Sequence, residues 1–138
     1  MREARVQRMS IELGTSATLT FTVSEADTAT ALGSGDVPVL ATPRALAWLE
    51  AATVAALAAY LDPASTSVGT RVELEHVTPT AVGRQVQVTA SVSYADGRLI
   101  RFEVAVQHRS PEGDLVVAAT GRITRVIVDR KRFLDRHS

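Results

Sequence analysis

The stretch from Pro43 to Leu61 limits the fold more than any other part of the chain. It is rich in alanine and leucine, contains no glycine, and is framed by Thr42-Pro43 and Asp62-Pro63. Threonine is a good helix N-cap, proline suits the first helical position, and an Asp-Pro pair stops a helix. The spacing therefore predicts one long helix over Pro43–Leu61. Leu46, Leu49, Thr53, Leu57 and Tyr60 share one face, and most of the opposite positions are alanine. A helix with so little polar surface is covered on nearly all sides, so it is wrapped by a sheet rather than laid on one.

The rest of the chain supplies that sheet. Ala17–Val23 alternates, with Leu19, Phe21 and Val23 on one side. Four more strands follow the helix. Ser67–Val77 carries Val68, Val72 and Leu74 on one face, and Gln85–Tyr94 carries Val86, Val88, Ala90 and Val92. Leu99–His108 carries Phe102, Val104 and Val106, and Leu115–Val128 is a long last strand. Asp96-Gly97 and Pro111-Glu112-Gly113 mark turns between them. Residues 24–41, with Gly33, Gly35 and Pro38, read as a long loop, and long ordered loops are often functional.

The order is strand, loop, long helix, four antiparallel strands. That predicts an α+β hotdog fold, a five-stranded antiparallel sheet wrapped around one long central helix. A cystatin-like roll is the competing arrangement. The 138 residues form a single domain, with residues 1–9 a leader and 129–138 a charged tail, both expected to be less ordered. One helix cannot cover both faces of such a sheet, so a second copy is expected, making a homodimer.

Composition excludes several function classes. Fifteen basic residues balance fifteen acidic ones, which argues against a partner that is nucleic acid or a membrane surface. The absence of cysteine rules out thiolate catalysis and zinc–thiolate sites. Residues 1–9 are charged with no apolar run after them, and the longest apolar stretch, Val54–Leu61, is too short to span a bilayer. A cytoplasmic protein is expected.

Three residues stand out as chemistry. Glu50 lies at the edge of the helix's apolar stripe, where a carboxylate half-withdrawn from water suits a general base or nucleophile. The alternative is a solvated Glu beside Trp48. His76 has the same parity as Val68, Thr70, Val72 and Leu74, so its imidazole continues an apolar face. A core histidine bonded to a carbonyl is the plainer explanation. Thr42 is a hydroxyl at a helix N-terminus, where capping alone explains it. Yet backbone N–H groups there can also polarise a thioester carbonyl. Pro43 has no donor, so Arg44 and Ala45 are the nearest amides. His108, at a strand end, and His137, in the tail, read as solvated.

The chain resembles the fluoroacetyl-CoA thioesterase group of hotdog thioesterases from about Val39 to Phe133. The resemblance is carried by Ala41-Thr42, Trp48-Leu49-Glu50-Ala51, Tyr60-Leu61-Asp62-Pro63, Ser67-Val68-Gly69-Thr70, His76, Thr80, Gly83, Gly121, Arg125 and Val126-Ile127-Val128. It implies hydrolysis of a short or medium acyl-CoA thioester, with no metal or cofactor beyond the CoA substrate. It also implies a catalytic set of Thr42, Glu50 and His76. Gly69 would allow close approach near the substrate, and Arg125 would meet CoA, with Arg122, Arg130, Lys131 and Arg132 a looser basic group. The family's fluoroacetyl-specific enzyme is known for an aromatic gate before this helix, whereas residues 24–41 here hold no Phe, Tyr or Trp. The Pro79-Thr80 order also reverses the more usual Thr-Pro. A non-catalytic hotdog protein binding acyl-CoA or another apolar ligand, as sensor or carrier, is the alternative. The Asp–x4–His spacing of a hotdog dehydratase does not occur.

Overall fold

The computed structural model describes residues 10–138, and the leader, residues 1–9, lies outside them. Strand β1 (Ser16–Thr22) leads through a 3-10 turn (Glu25–Asp27) and a short helix α1 (Ala29–Leu32) to the long helix α2 (Thr42–Leu57). Strands β2 (Ser65–His76), β3 (Gln85–Asp96), β4 (Leu99–Arg109) and β5 (Leu115–Asp129) follow, then helix α3 (Arg130–Arg136). The strands form one antiparallel sheet in the order β1-β3-β4-β5-β2. The strand that follows the long helix therefore lies at an edge of the sheet.

Period-two alternation decides which sheet face is buried. Val86, Val88, Ala90 and Val92 of β3, Ile100, Phe102, Val104 and Val106 of β4, and Ile123 of β5 join Ala45, Leu49, Ala52, Ala56 and Leu57 of α2 in one core. Each fully buried Leu or Phe contributes roughly 1.5–3 kcal/mol. The alanines let the sheet close tightly on the helix. Trp48 lies on the flank away from Glu50, stacked on Phe21 with ring centroids 4.4 Å apart. The helix is not covered all round: Ala47, Val54, Ala55 and Ala58 are exposed.

Several elements differ from their sequence signals. Helix α2 starts at Thr42, with Ala41 as N-cap, and closes in a 3-10 turn over Ala58–Tyr60. The stretch 24–41 is a pinned loop with helix α1 in it, capped by Thr28, whose side chain accepts from the Ala31 N–H, and ended by Gly33 at φ 71°. Its base is tied by Ala41 N–H to Asp27 O, Ala29 N–H to Val39 O and Leu40 N–H to Thr80 O, each 2.9 Å. The charged residues after β5 form α3, capped by Asp129. Among the described residues, no helix is long and apolar enough to cross a membrane.

Candidate active site

Because α2 begins one residue earlier than its Thr-Pro signal suggests, the Thr42 hydroxyl is not spent on capping. Its Oγ1 lies 2.7 Å from His76 Nδ1. His76 ends β2, and the route to that position runs through a β-bulge. Register shifts between Gly69 and Arg71, so Gly69 opposes Arg125 while Val72 opposes Ile123 and His76 opposes Ala119. Directly paired residues share a sheet face, and a bulge reverses parity. Ser67 and Gly69 therefore share the helix side with Val72, Leu74 and His76, and Val68 does not. Burial lowers the His76 imidazole pKa from its usual 6.5. Its Nε2 is buried with no hydrogen-bond partner among the described residues.

Glu50 faces the other end of the same strand. Its Oε2 is 3.4 Å from Arg125 Nη1. Arg125 is 7% exposed, and it also donates through Nε to Ser67 Oγ at 2.8 Å and through Nη2 to Ser67 O at 3.0 Å. Desolvation lowers the guanidinium pKa, while the charge of Glu50 and its hydrogen bond push it back up. Gly69 completes this group, since a Cβ there would lie 2.5 Å from Glu50 Oε2. The glycine makes room for the carboxylate.

One chain thus holds two separate clusters, Thr42 with His76 and Glu50 with Arg125, Ser67 and Gly69. Eight residues of α2 separate Thr42 from Glu50, about 12 Å along the axis, and the structure does not bring Glu50 to His76. Two amide assignments change. The Ala45 N–H is already bonded to Ala41 O at 2.9 Å, and Ala45 is fully buried. Thr42 and Arg44 remain as first-turn amides with no acceptor inside the helix. The Arg44 side chain reaches Asp27, Nε to Oδ1 at 2.9 Å, and clasps the loop to the helix start. Arg125 is buried beside Glu50.

His108 is not solvated as its strand-end position suggested. It is 8% exposed, with Nδ1 3.0 Å from the fully buried Thr80 Oγ1. The signal was available, because His108 continues the parity of Ile100, Phe102, Val104 and Val106. His137 is exposed, packed against Phe133.

A five-stranded antiparallel sheet around one long helix is the hotdog fold. The family model described as fluoroacetyl-CoA-specific thioesterase matches residues 23–131, and the chain belongs to that family. It is by that membership a thioester hydrolase. Among solved structures, the fluoroacetyl-CoA thioesterase FlK is 25% identical, with a TM-score of 0.82 over 93% of this chain and 96% of that one. A variant of it in complex with fluoroacetate and CoA is 26% identical, with a TM-score of 0.78 over 88% and 98%. A Thermus thermophilus hypothetical protein of the thioesterase superfamily, 24% identical, shares the fold with a TM-score of 0.81 over 91% and 90%. No curated protein sequence matches the chain significantly.

Proposed function

We propose that this enzyme hydrolyses short or medium acyl-CoA thioesters as a homodimer whose two sites each draw on both chains. The observation that carries the reading is the Nε2 of His76, buried with no hydrogen-bond partner among the described residues. A buried ring nitrogen with nothing to bond is costly, and Glu50 of the same chain sits about two turns of helix away. Antiparallel pairing of two helices across a two-fold axis brings the partner's Glu50 to that nitrogen. The exposed faces fit a second copy: β2 is an edge strand, Val72 on its helix side is 39% exposed, and Val54 on α2 is 49% exposed. An unpaired edge flanked by apolar side chains favours association.

In this arrangement His76 Nδ1 takes the Thr42 hydroxyl proton as Oγ1 attacks the thioester carbon. The partner's Glu50 accepts the Nε2 hydrogen bond and stabilises the imidazolium. The first-turn amides of Thr42 and Arg44 lie where an oxyanion develops. The proton then passes to the departing CoA sulfur; water, deprotonated by the same histidine, attacks the acyl-threonine, and that proton returns to Thr42 Oγ1 as the free acid leaves. His76 relays each proton between Thr42, the CoA sulfur and water, and this reading calls on no metal or cofactor.

The test is a panel of acyl-CoA thioesters read with a thiol-reactive dye. Release of CoA thiol from short and medium acyl groups is expected. Tight binding of acyl-CoA without thiol release would make the protein a carrier or sensor instead.

A further inference from the structure

Thr80 and His108 form a second hydroxyl–imidazole pair, which the reaction above does not use. Thr80 is fully buried, His108 is 8% exposed, and Oγ1 and Nδ1 are 3.0 Å apart. Neither residue touches the half-sites directly, but the backbone of Thr80 does reach them. Its carbonyl accepts the Leu40 N–H at 2.9 Å, two residues before Thr42. Val39 and Ala81 form an isolated antiparallel bridge beside it. On the other side, Thr80 follows His76 by four residues, and Val77 and Thr78 between them both donate to Ala118 O, at 2.8 and 3.1 Å. The segment 76–81 therefore carries one member of the catalytic pair and hydrogen-bonds the chain that delivers the other.

We infer that Thr80 and His108 are positioning residues for the Thr42–His76 pair. Their buried hydrogen bond pins segment 76–81 to the end of β4, and the Thr80 carbonyl transmits that fixed position to the start of α2. The physical need is strict. A 2.7 Å hydroxyl–imidazole bond between residues 34 apart in sequence survives only if both backbones are held. Ala41, the N-cap, has no side chain with which to cap α2, and His76 is the last residue of its strand, so the Thr80–His108 bond adds a buried side-chain anchor to the backbone and Arg44–Asp27 ties at these two ends. A polar pair in an otherwise apolar core resists sliding, because every displaced geometry leaves both groups unsatisfied. Burial disfavours a charged His108, and so, to a lesser degree, does the Arg84 guanidinium, which donates to Arg109 O at 2.5 Å at the same strand end.

The inference rests on the proposed role of Thr42 and His76, so its test has one readout that does not depend on turnover. Thr80→Val keeps the shape and removes the hydroxyl, and Thr80→Ser restores the hydroxyl. Thr80→Val is expected to lower kcat about tenfold with KM within about twofold, and to shift the His76 imidazole nitrogen resonances in NMR. Thr80→Ser is expected to keep both native. If Thr80→Val does not fold, His108→Leu against His108→Asn makes the same comparison, since the Asn amide can replace Nδ1. A folded Thr80→Val or His108→Leu enzyme with native kcat and unmoved His76 resonances would overturn the inference. Moved resonances in a protein that hydrolyses no acyl-CoA would uphold the positioning and reject the thioesterase mechanism.

Discussion

Thr42 and His76 are joined by a 2.7 Å hydrogen bond through Nδ1, while the other ring nitrogen of His76 is buried with no partner among the described residues. The hydroxyl donates to Nδ1 only when the imidazole is neutral, with its own proton on Nε2.

The pH dependence follows from that. Burial lowers the His76 pKa below 6.5, so the base stays neutral into mildly acidic solution. kcat/KM should fall as His76 becomes protonated on acidification, and because the partner's Glu50 favours the imidazolium, that acid limb should shift to lower pH in Glu50→Gln. Stability has the same sign. His76 and His108 both have pKa values lowered by burial, so the unfolded chain binds more protons just below pH 6.5. Their neutral burial costs no proton-binding energy above pH 6.5. Stability is then lost progressively as pH falls from there through the folded-state values. Denaturant midpoints between pH 5 and 8 check this, and a midpoint that rises on acidification through that window contradicts it.

Arg125 should act through Glu50 rather than through CoA phosphate. It satisfies Ser67 Oγ, Ser67 O and Glu50 at once from a buried position, which a lysine, with a single point charge, cannot do. Arg125→Lys is expected to lower kcat by about 10-fold or more while KM for acyl-CoA changes little. A large rise in KM with native kcat would return Arg125 to the role of a substrate contact.

Two glycines should respond differently to alanine. At Gly69 the new Cβ meets the tip of Glu50, a flexible side chain 39% exposed, so the carboxylate moves and the fold survives. Gly69→Ala should lose activity on the scale of an acid–base group, about 10²-fold, with a near-native Tm. At Gly121 the new Cβ meets the Glu73 carbonyl of the neighbouring strand, where nothing can give way. Gly121→Ala should lower Tm sharply. Equal losses of Tm in both variants would mean that Gly69 is structural.

How far the sequence exposes this site varies residue by residue. The helix is legible because alanine and leucine without glycine leave no other choice, and His76 is legible because its parity matches Leu74. The bulge at Thr70 is not. It reverses the parity of Val68 and places Gly69 and Ser67 toward the helix, through a single unpaired residue with no signature of its own. Proline at the second rather than the first helical position hides the hydroxyl of Thr42 behind an apparent capping role. The Glu50–Arg125 pair spans 75 residues and no periodicity reports it. Helix α1 has four residues, too few to show a period, although Thr28 and Gly33 frame it as cap and stop.

Acyl selectivity should be loose. The loop from Ser24 to Ala41 contains no aromatic residue, and residues 30–38 at its tip are exposed. Nothing large and rigid in it can sort a fluorine from a hydrogen. The expected kcat/KM for fluoroacetyl-CoA lies within about 10²-fold of that for acetyl-CoA, because one small apolar contact is worth only about 1–3 kcal/mol. A preference of several orders of magnitude for the fluorinated substrate would require a gate elsewhere.

Site sharing between chains is decided by subunit mixing. Thr42→Ala and Glu50→Gln chains, each inactive alone, are refolded together in equal amounts. If Thr42 and His76 of one chain work with the partner's Glu50, each heterodimer holds one intact site. Random pairing makes about half of the dimers heterodimers, so activity should return to about a quarter of native. The control is Thr42→Ala mixed with His76→Ala, which should recover nothing because both residues belong to the same half-site. Recovery to about a quarter in the first mixture and none in the second is the predicted result. No recovery in the first mixture, with heterodimers shown to have formed, would contradict the shared site.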